Sequence, residues 1–159
     1  MSQRISRRES MMVGGILALA LALRLLYLWQ FSQLPDWDQL TVDNWYHHHW
    51  ASAIAQGNIV GDTTYFRAPF YVWCLSIVYA AFGASLWAAR LFGIGVGVCS
   101  VAFTYLIARR LAGHRAGMIA AVIASIYPIF LMFEAEILLD PLFTLLVQVF
   151  VFSLLLWSD

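Results

Sequence analysis

Apolar residues run almost unbroken from Met11 to Phe31 and return in three further blocks from Ala84 onward, with one long polar segment between them. The block at 11–31 matches the roughly 20 residues a helix needs to cross a hydrocarbon core. Blocks at 84–108, 116–133 and 141–157 are each long enough to span, and Pro128 predicts a kink in the third block. The block at 69–83 is apolar and aromatic but short, and Pro69 suits the first turn of a helix. Within the polar segment, Tyr46, Trp50, Ala53 and Ile54 fall on one face of a helix over 43–57, which Gly57-Asn58 would end. Its Trp, Tyr and His content suits a helix lying in the membrane interface.

These elements predict an all-α integral membrane fold of about four transmembrane helices, with interfacial helices in a first outer loop. The chain then divides into an N-terminus at 1–10, a helix at 11–31, an outer loop at 32–83 with helices at 43–57 and 69–83, and a helix at 84–108. A turn at 109–115, a helix at 116–133, an acidic turn at 134–140 and a helix at 141–157 follow. If 69–83 does not cross, Arg109, Arg110 and Arg115 share a side with Arg4, Arg7 and Arg8, and the positive-inside rule makes that side cytoplasmic. Asp43 and Asp140 then both face outward. No small-x-small cleavage site follows 11–31, so that helix reads as a retained anchor.

Composition sharpens the picture. Charged residues are 11% of the chain and hydrophobic ones 62%, which excludes a soluble domain. The nine positive charges are all arginines, and the formal net charge is zero, so no basic field for nucleic acid exists. Cys74 and Cys99 lie in apolar runs and read as small buried hydrophobes. Gly93 and Gly97 read as a small-residue packing face.

Candidate chemistry is confined to a few positions. Asp43 begins the interfacial helix, either as an N-cap or as a general base at headgroup level. Glu134, Glu136 and Asp140 crowd one short turn, where they need a cation, a proton or a substrate. Asp140-Pro141 also reads as an ordinary helix start. Arg67 either snorkels to lipid phosphates or clamps the phosphate of a lipid-linked donor, and Arg24 and Arg90 carry the same two readings. His47, His48 and His49 fan around a helix and cannot share one metal, although Asp43 and His47 lie at i, i+4.

In order along the chain, Asp43-Asn44-Trp45-Tyr46, Ala55-Gln56-Gly57-Asn58 and Tyr65-Phe66-Arg67-Ala68-Pro69-Phe70-Tyr71 resemble the first outer loop of GT-C glycosyltransferases. The likeness is to bacterial relatives of dolichyl-phosphate-mannose protein mannosyltransferases and of the lipid A aminoarabinose transferase. It continues through Phe82-Gly83, Ala89-Arg90, Arg109-Arg110-Leu111 with Gly113, Ala116-Gly117, Tyr127-Pro128 and Leu138-Leu139-Asp140-Pro141. The resemblance implies a partial GT-C fold and Asp43 as the catalytic carboxylate, with Asp140 as the second acid near the site. Taken with the residues themselves, it makes Arg67, Arg90, Asp140 and Tyr46 substrate- or phosphate-binding, and Glu134, Glu136, Asp140 and His47 candidates for a divalent metal. Aminoarabinose-transferase relatives carry Glu-Lys-Pro where this chain has Arg67-Ala68-Pro69.

The expected function is inverting sugar transfer from a polyprenyl-phosphate sugar donor at the outer face of the inner (plasma) membrane, with a multi-pass chain and a cytoplasmic N-terminus. The acceptor is unspecified. Family members continue for several hundred residues, so the chain is expected to be an N-terminal portion that is inactive alone. A non-catalytic assembly partner or truncated relic of this fold, a polytopic transporter and a simple lipid-binding module remain as alternatives. A transporter would face charges together deep in several spans.

Overall fold

The computed structural model describes residues 6–59 and 67–158. Asp62, Tyr65 and Phe66 lie outside the described residues. The chain forms α1 (Arg7–Phe31), a 3-10 turn at Pro35–Asp38, α2 (Val42–Ala55), α3 (Pro69–Phe82), α4 (Leu86–Ile126), α5 (Pro128–Ala135) and α6 (Asp140–Trp157). Among the described residues α1, α4 and α6 are long and apolar enough to cross a membrane. The chain is an all-α membrane protein.

Sequence chemistry sets the ends of these helices. Ser6 and Glu9 form a reciprocal capping box at the start of α1. Ser85 accepts from the Ala88 amide at the start of α4. Within 109–115 the chain reverses at a single residue. Arg109 to Ala112 remain helical, and the break comes at Gly113, whose φ of +87° only glycine adopts readily. The second arm, 114–126, folds back antiparallel on the first, bringing Gly117 against Tyr105. Pro128 does not kink a continuous helix. Tyr127 leaves the helical region (ψ 113°), as residues before proline tend to, and α5 starts anew. The return passage is thus built from two pieces, which is why three long helices stand where about four were expected.

α1 runs antiparallel to the first arm of α4, and α6 runs parallel to it, with Gln148 beside Thr104 and Leu155 beside Arg110. Ile16 and Ala20 cluster with Val101, Tyr105, Ala121 and Ala124, and Leu28 with Ile94 and Ala135. On the α6 side, Phe103 meets Phe152 edge-on at 5.8 Å, and Gln148 donates to Thr104. Cys99 is exposed on the outside of this bundle rather than buried in it, and Cys74 is half-buried.

Inside the bundle, Arg24 of α1 donates through Nε and, at 3.0 Å, through Nη2 to the two carboxylate oxygens of Glu134. Its Nη1 donates to the carbonyls of Ala20 and Ser125. Glu134 is therefore part of α5 and buried, not part of an outer acidic turn. Gly93 and Gly97 make room for it: a methyl on Gly93 would strike the Glu134 carbonyl, and one on Gly97 its carboxylate. At one end of the bundle, Glu9 lies 3.8 Å from Arg109 and 3.5 Å from His114, so the start of α1 and the Gly113 turn share that end.

At the other end α2 and α3 pack together over Leu86 and Ala89 of α4 and Ile137 of the α5–α6 turn. The buried line of α2 is Asn44, His47 and Ala51, at spacings of three and four. Hydropathy pointed instead to Tyr46, Trp50, Ala53 and Ile54, because two of the three inward residues are polar.

Removing one partner of a buried ion pair leaves an unpaired charge, at about 3–5 kcal/mol. Arg24→Met should therefore lower the thermal midpoint in detergent markedly, and Arg24→Met/Glu134→Gln should recover much of the loss. Equal losses in the single and double variants would show that the pair does not anchor the bundle.

Candidate active site

Asp43 is the second residue of α2, not its cap. Thr41 holds the N-cap position and makes no side-chain cap bond. An acid in the first turn is still favoured by the exposed amides and the helix dipole. Pro69 opens α3 and holds Ala68 extended, and Arg67 just ahead of it donates through Nη2 to Asp43 Oδ1 at 2.5 Å. Both side chains are about two-fifths exposed, 39% for Arg67 and 38% for Asp43. The candidate base and the candidate phosphate clamp thus meet each other.

Successive helical residues diverge by about 100°, so Asn44 points away from Asp43. It is 5% exposed, and its amide nitrogen donates to Glu136 Oε2 at 2.5 Å. One turn on, His47 is buried, with Nδ1 2.8 Å from the Ile137 carbonyl. A carbonyl only accepts, so Nδ1 carries a proton and donates it to Ile137. Burial lowers the His47 pKa, as does the Arg67 charge, against the opposing bond to Ile137 and the charges of Asp43 and Asp140. His48 meets the Tyr79 hydroxyl at 2.6 Å, and burial, with His49 and Arg90 nearby, lowers its pKa as well. His49 turns to the Trp45 carbonyl. The three histidines diverge.

An open cleft of about 740 Å³ is lined by Asp36, Gln39, Asp43, Asn44, Arg67 and Glu136, among others. The acids that share it with Asp43 are Asp36 and Glu136. Asp140, the expected second acid, is exposed at the first position of α6 and borders a separate cavity of about 200 Å³ beside Arg24 and Glu134. Tyr46 packs on Trp50 and on the edge of His47 and does not line the cleft. Arg90 is buried, with its guanidinium 3.8 Å from the Trp37 ring and 4.7 Å from Phe31, and it donates to the Trp37 carbonyl. It pins the 35–38 turn to the end of α1 and so holds the wall that carries Asp36.

The expected metal set does not gather. Glu134 is taken by Arg24, Glu136 by Asn44 and His47 Nδ1 by Ile137. Among the described residues no three His, Cys, Asp or Glu side chains stand close enough to hold a cation. Sequence reasoning gave Asn44 no role of its own, and neither it nor Trp37 carries a local signal. Each becomes visible only once Glu136 and Arg90 are brought to it from far along the chain.

The family model described as dolichyl-phosphate-mannose-protein mannosyltransferase matches residues 66–158, more than half of the chain, and the chain belongs to that family, of GT-C type. The matched stretch takes in Arg67, Arg90, Glu134, Glu136 and Asp140, whereas Asp43, Asn44, Tyr46 and His47 precede it. No curated protein and no solved structure matches the chain.

Because the folded protein favours neutral His47, the unfolded chain binds the proton more readily. Docking of α2 should be complete above the ordinary histidine pKa of about 6.5 and weaken as pH falls below it. Amide exchange along α2, corrected for intrinsic rate, should quicken between pH 7.5 and pH 5. No such change would show that His47 does not hold the helix.

Proposed function

We propose that this member of the dolichyl-phosphate-mannose-protein mannosyltransferase family transfers a sugar from a polyprenyl-phosphate donor to an acceptor hydroxyl, with inversion, in the cleft beside α2. The observation that carries the reading is the Asp43–Arg67 ion pair on the lining of that cleft. Each member has a separate task in such a reaction, and the pair links the tasks. Arg67 lines the cleft beside the carboxylates of Asp36, Asp43 and Glu136, so an entering phosphate must compete with Asp43 for its guanidinium. Taking Arg67 frees Asp43.

The freed Asp43 carboxylate then accepts the proton of the acceptor hydroxyl as its oxygen attacks the anomeric carbon. The bond from that carbon to the phosphate oxygen breaks through an oxocarbenium-like transition state. Its electron pair leaves on the polyprenyl phosphate, whose charge Arg67 balances. Arg90, stacked on Trp37 and Phe31, shapes the cleft without touching the phosphate.

The orientation belongs to the same proposal. Glu9 brings the start of α1, with Arg7 and Arg8, to the end that carries Arg109 and His114. Gathering arginines at one end supports placing that end in the cytoplasm of the inner membrane and the cleft outside. One pair of charges, Arg24 and Glu134, does face inward within the bundle, the feature expected of a transporter. It is a single bidentate pair wedged against two glycines, which suits packing better than an ion path.

Asp43→Asn keeps the shape and removes the base. Transfer to acceptor should fall by about 10²–10⁴-fold with the fold intact by circular dichroism. In the same variant, polyprenyl phosphate should bind more tightly, because its competitor for Arg67 is neutralised. Unchanged transfer in native membranes would instead favour a non-catalytic partner of this fold.

A further inference from the structure

Beside Asp43 the cleft has a second polar corner, and its chemistry is one-sided. The Asn44 amide nitrogen donates to Glu136, and a carboxylate can only accept, so the orientation of the amide is fixed. Its carbonyl oxygen, Oδ1, is buried and without a partner among the described residues. Glu136 and Asp36 on the same lining are acceptors as well. A ligand in this corner must bring its own donors. An ionised phosphate brings none and is repelled by the carboxylates, so it belongs at Arg67. A metal ion is ill served, because no three ligating side chains gather here among the described residues.

We propose that Asn44 and Glu136 form a hydroxyl-binding subsite of the cleft, taking the ring hydroxyls of a sugar while Arg67 takes the phosphate. This rests on the reading of the cleft given above and extends it to the division of the ligand between its two corners. The divergence of neighbouring side chains on α2 underlies that division. Asp43 carries Arg67 on one side of the first turn, and Asn44 carries Glu136 on another. A sugar that donates one hydroxyl to Asn44 Oδ1 and another to Glu136 would leave its phosphate-bearing carbon toward Asp43. The hydroxyls belong either to the sugar of the lipid donor or to an acceptor sugar, and the chemistry asked of Asn44 and Glu136 is the same.

The test measures binding, so it stands apart from transfer. The whole protein in lipid nanodiscs is titrated with three probes: polyprenyl phosphate without sugar, the same lipid carrying a hexose, and a soluble methyl hexoside. Glu136→Gln, at a half-buried position, should fold, and Asn44→Leu is the second variant, with thermal midpoints checked for both. If the subsite holds the donor sugar, both variants weaken the sugar-bearing lipid about tenfold, as expected for one lost hydrogen bond to a charged group, and leave the bare lipid unchanged. If it holds an acceptor sugar, both lipids bind as before and only the hexoside weakens. Equal weakening of the two lipids, or no change with any probe, overturns the proposal. Loss of sugar binding here with unchanged transfer in Asp43→Asn would retain the subsite and remove the catalytic reading.

Discussion

A charge inside an apolar bundle has to be answered, and the answer given to Arg24 organises the rest of the protein. Its guanidinium spends three nitrogens on Glu134, Ala20 and Ser125, tying α1 to α5 and to the second arm of α4. Without water to share the load, each of those bonds is stronger and each loss dearer than at a surface. Gly93 and Gly97 let Glu134 sit directly on α4. The position of α5 is therefore fixed by an ion pair and by backbone contact together.

That fixed position is handed on to the cleft. Two residues after Glu134, Glu136 receives Asn44, and Ile137 offers its carbonyl to His47 while its side chain joins the core under α2. An α2 helix of 14 residues with half-polar faces would be marginal alone. It is held by polar bonds to a turn that is itself held from inside the bundle. The other wall is held by Arg90, which stacks on Trp37 and Phe31 and stops the 35–38 turn from drifting. The cleft side chains that face solvent, Asp43 and Arg67, are thus carried on a supported frame, and their pairing leaves each available to a ligand that can outcompete the other.

Much of this was written in the chain itself. Runs of apolar residues long enough to cross a bilayer, with so few charges between them, admit little besides an all-helical membrane fold, because lipid leaves backbone groups no partner outside a helix. Asp43, Arg67 and the acidic stretch before Pro141 were visible as chemistry out of place beside a membrane. Gly93 and Gly97 announced a close helix contact. What covers them was not announced.

The tertiary structure decided which charges spend themselves on the fold and which remain for a ligand. Glu134 and Glu136 are two residues apart and alike in sequence, yet one is sealed against Arg24 and the other lines the cleft with Asp43. Arg67 and Arg90 are alike as cations beside apolar helices, yet one meets Asp43 and the other is buried on aromatic rings. The sequence determined the helices and where along the chain its polar residues fall, because hydropathy and helix-breaking residues act locally. It did not determine the partners, because Arg24 and Glu134 are 110 residues apart and Asn44 and Glu136 are 92, and nothing local at either end of such a pair records the other.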